Sequence, residues 1–96
     1  MVAIKDLKKK QSKVKIEAEV LKISKPREYK KLGKITRVAN ATIKDETGTI
    51  QLTLINNEID QIKPGTKIKI VNGYVNTWNG EKKLVIGRFG SLETIT

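Results

Sequence analysis

Apolar and polar residues alternate along much of this chain with the period of two that is typical of β-strands. From Val14 to Val20, every even position holds Val, Ile or Ala and every odd position is charged. The apolar character continues to Ile23 and stops near Pro26, which cannot donate a hydrogen bond to a neighbouring strand. The pattern therefore predicts a long first strand that ends before residue 26.

Two further strands are predicted on either side of a tight turn. The second runs from Ile35 to Lys44 and the third from Thr49 to Ile55. Between them lies Asp-Glu-Thr-Gly at 45–48, in which Gly supplies the positive φ that a tight turn needs. These two strands should form an antiparallel hairpin. Ile55 is notable because it is an apolar residue on the otherwise polar face of the third strand.

A short helical turn is predicted to follow the hairpin. Residues 56–63 begin with two Asn, either of which can cap a helix, and they place Ile59 and Ile62 on one side at a spacing of three. Pro64 and Gly65 then end the turn.

Two more strands complete the predicted sheet. The fourth runs from Lys67 to Val75 and the fifth from Glu81 to Arg88, with the hairpin signal Asn79-Gly80 between them. Asn72-Gly73 interrupts the fourth strand, and Gly inside a strand often marks a bulge. With a bulge Tyr74 leaves the core face, and without one it points inward.

This order of elements indicates a closed sheet rather than an open one. The strands are long, the fourth contains Gly, and no long helix is predicted. We therefore predict an all-β protein: a five-stranded Greek-key barrel of the OB type, with a short helical turn between strands three and four. A chain of 96 residues fits one domain. We place this domain at 13–96, after a basic leader at 1–12.

Composition argues against catalysis. The chain has no Cys and no His, so it lacks disulfides, Cys-based metal sites and the usual general base. Asp45 and Glu46 form an acidic pair, but they lie in a turn where Asp is favoured for local hydrogen bonding. We expect no enzymatic activity, no metal and no cofactor.

No signal peptide is visible and no apolar run approaches the roughly 20 residues of a membrane helix, so we expect a cytoplasmic protein without a membrane partner.

The net charge favours a polyanionic partner. Twenty basic and ten acidic residues give a formal charge of +10. Nucleic acid is the first candidate for such a small basic domain, and an anionic membrane surface is the second. A Lys-rich surface that serves only solubility is the alternative.

The aromatic residues lie mostly outside the predicted core and among basic residues. Tyr29 is in a polar, basic loop at 25–34, Tyr74 follows the possible bulge, and Trp78 precedes the hairpin tip. Base stacking on aromatic faces beside a cationic groove is how sequence-tolerant binding of single strands works. Tyr29 folded back over the barrel mouth is the alternative for that residue, and we expect Phe89 to pack at the barrel end.

An OB fold would bring these positions together, because its binding surface is the face of strands two and three flanked by loops 1-2 and 4-5. Tyr29 would come from loop 1-2, Ile55 from strand three and Trp78 from loop 4-5. The predicted phosphate-binding residues are Arg27, Lys30, Lys31, Lys34, Arg37, Lys82, Lys83 and Arg88.

Three motifs carry a resemblance to a known family. They are D-E-T-G-T-I-Q-L-T-L at 45–54, N-N-E-I-D-Q-I-K-P-G at 56–65 and I-V-N-G-Y-V-N-T-W-N-G at 70–80. The chain resembles archaeal single-stranded DNA-binding proteins and single OB domains of archaeal replication protein A over residues 13–95. The first motif is fairly specific to this group, although OB domains of translation factors and synthetases carry looser versions.

The resemblance implies roles for individual residues. Aromatic residues on strand four and the following hairpin stack on bases in that family, which implies stacking by Tyr74 and Trp78, with support from Tyr29 in loop 1-2. Strand three normally carries Trp directly after L-T-L, and Ile55 stands there in this chain. One stacking platform is therefore missing, and the affinity should be lower.

We expect a monomeric protein that binds single-stranded DNA with little sequence preference during replication, repair or recombination, and that is associated with the nucleoid. The same surface should bind RNA, because stacking does not read the 2′-hydroxyl. Two alternatives remain open. One is an RNA-binding OB module in translation, and the other is a protein-interaction domain that uses Tyr29, Ile55, Tyr74 and Trp78 as an apolar patch.

Overall fold

Six strands account for most of the chain, and they follow the alternation of buried and exposed side chains. The computed structural model describes residues 2–95, apart from the side chains at positions 31, 87 and 88. The strands are β1 (Val14–Ile23), β2 (Arg27–Lys31), β3 (Lys34–Asp45), β4 (Gly48–Ile55), β5 (Lys67–Trp78) and β6 (Glu81–Thr94). A 3-10 turn at Ile4–Asp6 and helix α1 at Asn57–Gln61 are the helical elements of this part of the chain. No helix within residues 2–95 has the length and apolar character needed to cross a membrane.

Five of the strands close into a ring. The order around it is β1, β5, β6, β4 and β3, and β3 pairs again with β1. All neighbours in the ring are antiparallel except β4 and β6, which run parallel. Helix α1 lies between β4 and β5, which are the third and fourth strands of the barrel. The predicted five-stranded OB barrel with one short helical element is confirmed.

The barrel interior is filled by aliphatic side chains. Every buried hydrophobic residue of the described chain is Ile, Leu, Val or Ala, and no buried side chain is polar. Completely burying one Ile, Leu or Val contributes about 1.5–3 kcal/mol relative to leaving it exposed. The members with relative exposure of 1% or less are Leu7, Val14, Ile16, Val20, Ala41, Ile43, Leu52, Leu54, Ile68, Ile70, Val75 and Leu84.

Residues 27–38 form a β-hairpin arm rather than the loop predicted at 25–34. Strand β2 pairs with the first half of β3, from Arg27 opposite Val38 to Lys31 opposite Lys34. The turn at its tip uses Leu32 and Gly33, both at positive φ (52° and 77°). Asn-Gly is the usual pair for such a turn, so a bulky Leu at the first position concealed the hairpin in the sequence.

A bulge in β5 reverses the alternation of that strand. Its pairing with β6 shifts between Val71 and Gly73, and Asn72 adopts a left-handed φ of 57°. A Cβ on Gly73 would lie 3.1 Å from Ile70 Cγ2 and 3.2 Å from Leu84 Cδ1, so the core approaches this backbone closely. Gly73 is buried and Tyr74 is exposed. The bulge that the sequence offered as one of two alternatives is therefore present.

Strand β6 is irregular at the same level. It continues past the predicted end to Thr94, because residues 91–94 pair with the first half of β5. Residues 87–90 lie opposite the single residue Asn72, since Gly73 pairs with Ile86 and Val71 with Ser91. Phe89 in this bulge is 85% exposed. The prediction that Phe89 packs at the barrel end is wrong.

The N-terminal segment packs against the barrel. Ile4 and Leu7 belong to the buried core, with relative exposures of 6% and 1%. The Val2 amide donates to the Lys15 carbonyl at 3.1 Å. The expected division between a leader at 1–12 and a domain at 13–96 stays a prediction. Ile4 and Leu7 of the leader are nevertheless buried in the core.

Asp45 ties this segment to the turn between β3 and β4. Its Oδ2 accepts a hydrogen bond from the Ile4 amide at 2.8 Å, while Oδ1 accepts from the Thr47 amide at 2.7 Å, the Thr47 hydroxyl at 2.6 Å and the Gly48 amide at 3.2 Å. Burial of the carboxylate opposes ionisation, but the hydrogen bonds together outweigh it and lower the pKa of Asp45. The ionised carboxylate therefore stabilises both the turn and the docking of Ile4.

Asp45→Asn should lower the free energy of unfolding by about 1–2 kcal/mol at neutral pH. The Asn side chain has one oxygen and one NH2 group, so the NH2 group must face either the Ile4 amide or the donors of Thr47 and Gly48, and those hydrogen bonds are lost. A carboxylate with a lowered pKa stabilises the fold above its unfolded pKa of about 3.9 and loses that contribution as the pH falls through the folded value. The gap between wild type and variant should therefore narrow in acid. Thermal unfolding followed by circular dichroism at several pH values measures it. Glu46→Gln, at the exposed neighbouring position, is the control, and an equal loss in both variants would contradict this role.

Candidate nucleic-acid interface

A groove of about 980 Å³ crosses the outer surface of the barrel. Its floor comes from β3, β4, β6 and β5, and its walls come from the segment 24–29 on one side and the end of β5 on the other. The lining residues are Ser24, Lys25, Pro26, Arg27, Tyr29, Val38, Asn40, Thr53, Asn76, Trp78, Lys83 and Val85.

The floor of the groove is built by outward-facing residues that lie side by side across four strands. Asn40 on β3 pairs with Thr53 on β4, Thr53 pairs with Val85 on β6, and Lys83, two residues before Val85, pairs with Asn76 on β5. The neighbours of these residues along each strand fill the barrel core, because successive strand residues face opposite sides. The alternation that builds the core therefore also leaves small polar and aliphatic side chains on the floor.

Two aromatic side chains face the groove from opposite walls. Tyr29 lies on β2 and is 53% exposed, and Trp78 ends β5 and is 65% exposed. Tyr29 does not fold over the core, because β2 holds it on the arm opposite Thr36. Trp78 owes its position to the β5 bulge, which puts Tyr74, Asn76 and Trp78 on the outer face. The structure thus brings together two of the four predicted stacking residues.

The other two predicted stacking residues lie next to the groove without lining it. Tyr74 is 38% exposed beside Val85, and Ile55 is 36% exposed beside Val38. Both neighbours are lining residues, so Tyr74 and Ile55 extend the outer face toward the end of the sheet where β4 stops. The Ile55 amide donates to Glu58 Oε1 at 2.9 Å, which holds the start of α1 beneath it. Burial raises the pKa of the Glu58 carboxyl, and this hydrogen bond partly offsets the effect.

Basic residues fall into two groups according to the face that they occupy. Arg27 and Lys83, two of the predicted phosphate-binding residues, line the groove. Lys34 is close to the tip of the arm and shares a face with Tyr29, since it stands two residues before Thr36, the partner of Tyr29. Lys30 alternates with Tyr29 on β2 and therefore faces the other side of the arm. The side chains of Lys31 and Arg88 lie outside the described residues.

The structure does not bring Arg37 to the groove. It alternates with Val38 on β3 and lies on the opposite face, where its Nη2 is 2.7 Å from Asp60 Oδ2 in α1. Its backbone amide also donates to Asn56 Oδ1 at 2.9 Å. The hydrogen bond and the charge of Asp60 raise the pKa of the guanidinium. Arg37 thus fastens α1 to the barrel wall.

Lys82 also points away from the groove. Its Nζ donates to the backbone carbonyl of Leu7 at 2.8 Å, so its ammonium group holds the N-terminal segment. Lys82 and Lys83 are adjacent in the sequence and consequently occupy opposite faces of β6. Their shared basic character concealed this difference in the sequence.

Eight of the twelve described lining residues were not predicted from the sequence, and Lys25 and Asn76 are two of them. Lys25 precedes Pro26 in the connection from β1 to β2, and Asn76 lies between Tyr74 and Trp78 on β5. Asn76 could have been found by carrying the shifted alternation of β5 past the bulge. Lys25 gave no signal beyond its charge, because its position depends on the path of the connection.

Relatives of this chain include a protein named for single-stranded DNA binding. It is 29% identical over 82 residues to the single-stranded DNA binding protein Ssb of Saccharolobus solfataricus, a match that covers 85% of this chain and 55% of that protein. It is 31% identical over 58 residues to an uncharacterized protein of Arabidopsis thaliana, covering 60% of this chain and 38% of that protein. The chain spans about half the length, or less, of these curated relatives.

Solved structures share the architecture. The second OB-fold domain of replication protein A from Methanococcus maripaludis superimposes with a TM-score of 0.79 at 25% identity, covering 98% of this chain and 93% of that one. The replication factor A related protein from Methanobacterium thermoautotrophicum gives a TM-score of 0.82 at 23% identity, with 99% and 90% covered.

The family assignment comes from a sequence match that spans nearly the whole chain. The family described as single-stranded DNA binding protein Ssb-like, OB fold, matches residues 5–94. That range includes every strand of the barrel and both walls of the groove. This chain therefore belongs to the Ssb-like, OB-fold family of single-stranded DNA binding proteins.

Proposed function

We propose that this protein binds single-stranded DNA in the groove with little sequence preference. The main observation in support is that Tyr29 and Trp78 lie on opposite walls of a groove that is also lined by Lys25, Arg27 and Lys83. Aromatic faces stack on bases, and the Lys and Arg groups neutralise phosphates. Membership of a single-stranded DNA binding family supports this proposal.

The distribution of charge supports an anionic ligand at this place. Among the described lining residues of the groove, three are basic and none is acidic. The acidic residues Glu17, Glu19 and Asp45 line a separate cleft instead. The basic surplus is therefore not uniform over the surface, and a polyanion meets no repulsive carboxylate along the groove walls.

Low sequence preference follows from the kind of contacts that the groove offers. Stacking tolerates every base, because each base has an aromatic face. Of the polar floor residues, Thr53 and Asn40 are within 3.4 Å of each other through Oγ1 and Oδ1, so part of their hydrogen-bonding capacity is used within the protein. Few groups remain to read base edges.

The biological setting belongs to the same proposal. A protein of this kind covers single strands exposed during replication, repair or recombination, in the cytoplasm and close to the nucleoid. It acts as a monomer, since one barrel supplies all the proposed contacts, and it acts by binding alone. RNA is a second ligand of the same groove, because stacking and phosphate contacts do not depend on the sugar.

A protein partner is the second candidate, and the exposed apolar side chains outside the groove favour it. Ile55 and Tyr74 are both more than a third exposed next to it, and Leu32 and Ile35 are 94% and 61% exposed on the arm. Apolar contacts of this kind change little with salt, whereas phosphate contacts weaken steeply as salt rises. The salt dependence of binding therefore separates the two functions.

Trp78→Ala should weaken binding of oligo-dT by about 1–3 kcal/mol while the fold stays intact, because it removes one stacking face. Trp78 is the one Trp of the chain, so quenching of its fluorescence by oligo-dT reports directly on base contact in the wild type. Leu21→Ala, which truncates a 41% exposed side chain on β1 away from the groove, is the matched control. Unchanged affinity in Trp78→Ala would remove this residue from the site.

Lys83→Gln should reduce the dependence of log K on log salt by about 0.7, the value for one phosphate contact on a single strand. Lys82→Gln removes the same charge one residue away, but on the opposite face, and should leave the slope unchanged. Titrations of fluorescein-labelled oligo-dT at four salt concentrations measure both slopes. Equal slopes for the two variants would mean that the strand is not confined to the groove face.

Ile55→Trp should tighten oligo-dT binding by up to about 1–3 kcal/mol if the strand passes over the end of β4, because the indole offers a stacking face that Ile lacks. Calorimetric titration gives the affinity without relying on Trp fluorescence. Ile55→Leu keeps the size and apolar character and serves as the control. An unchanged affinity in Ile55→Trp would place Ile55 off the path of the strand.

A further inference from the structure

Strand β6 contains a bulge at 87–90 whose described side chains do not line the groove. Four residues, 87–90, face the single residue Asn72 of β5. Asn72 adopts a left-handed φ of 57°, and its side-chain amide donates to the carbonyl of Phe89 at 3.4 Å. Bulges of this kind redirect side chains from the sheet. Here the redirected side chain is aromatic.

Phe89 is the most exposed aromatic residue of the described chain, at 85%. Its ring has no polar atom that would profit from contact with water, unlike the Tyr hydroxyl or the Trp indole N–H. The buried core of the described residues is entirely aliphatic, and Phe89 is not part of it. The ring is therefore open to a partner outside the chain.

The register of the sheet locates the bulge relative to the proposed DNA path. Val85 lines the groove and pairs with Tyr74 on one side and Thr53 on the other. The next pair along β5 and β6 is Gly73 with Ile86, and the bulge begins directly after it. Phe89 thus lies past Tyr74, at the end of the sheet opposite the hairpin that carries Trp78.

We propose that Phe89 is an additional base-stacking residue, which binds a nucleotide after the strand has left the groove past Tyr74. The proposal rests on the function proposed above and extends its site. The bound strand would run from Trp78 over Tyr74 to Phe89 and be longer than the groove alone can hold. Phe89 then sets the length of single strand that gives full affinity.

The surroundings of Phe89 fit a single base better than a protein partner. Protein contacts of high affinity centre on clusters of apolar side chains that exclude water together. The described neighbours of Phe89 in the bulge and across from it are Gly90, Ser91 and Asn72, and none of them adds apolar surface of any size. An isolated ring with an open face is what stacking on one base requires.

The test compares Phe89→Ala with wild type over a series of oligo-dT lengths from about 4 to 16 nucleotides, the range of sites known for OB folds. The affinity of wild type should rise with length until Phe89 is reached. Phe89→Ala should bind the shortest oligonucleotides as wild type does, reach its plateau at a shorter length and bind the longest about 5- to 150-fold more weakly. Ile95→Ala, at a 41% exposed position that lines the acidic cleft, is the control and should match wild type at every length.

A second variant gives a direct signal. In the double variant Trp78→Phe with Phe89→Trp, the only Trp lies in the β6 bulge, and long but not short oligo-dT should quench its fluorescence. An identical length dependence in wild type and Phe89→Ala, or absence of quenching in the double variant, would overturn the role of Phe89. An equal loss of affinity at all lengths would overturn it too, because it would show an effect on the groove itself. Failure of the proposed function looks different, since wild type would then bind no oligo-dT and Trp78 would not be quenched.

Discussion

The bulge at Asn72 and Gly73 reverses the alternation of β5, and the groove depends on this reversal. Before the bulge the even-numbered residues Ile68 and Ile70 are buried in the core. After the bulge the odd-numbered residue Val75 is buried instead. A regular strand would have sent Tyr74 and its even-numbered successors into the barrel. The close contacts around the Cα of Gly73 show that no larger residue fits here without displacement of the core.

The residues that fill the barrel core are separate from those that line the groove. The core is aliphatic, and the four aromatic residues are exposed by 38% to 85%. Aromatic rings usually supply much of the buried area in a small protein, so their placement on the surface leaves the core to Ile, Leu, Val and Ala alone. Substitutions of exposed aromatic residues on this surface therefore remove little core packing.

The barrel itself could be predicted because local signals agreed with the global fold. Period-two patterning marked the strands, and Asn79-Gly80 marked a hairpin whose turn residues have positive φ, as such a turn requires. The arm of β2 and β3 was missed because Leu32 occupies a turn position where the backbone disfavours a branched apolar residue. Half of its ten paired strand residues are basic, so that its composition resembles that of a loop.

Site residues were predictable only where the face of the strand was known. Tyr29, Trp78, Arg27 and Lys83 reach the groove as the sequence suggested. Lys82 does not, because charge says nothing about which side of a strand a residue occupies, and parity in β6 could be fixed only from its neighbours in the core. The position of Phe89 was predicted wrongly for a related reason. Four residues of β6 lie opposite the single residue Asn72 of β5, and such a bulge cannot be predicted from the alternation of polar and apolar residues.

The pairing of β1 has a consequence for how the chain reaches this structure. Strand β1 is first in sequence, yet it closes the ring between β3 and β5, and its residue 14 pairs with residue 73. Contacts between such distant positions are slow to form, because the entropy of closing a long loop is lost before the contact stabilises it. During synthesis, the N-terminal strand must wait until most of the chain has emerged. Closure of the barrel is therefore a late event that completes the core and the groove together.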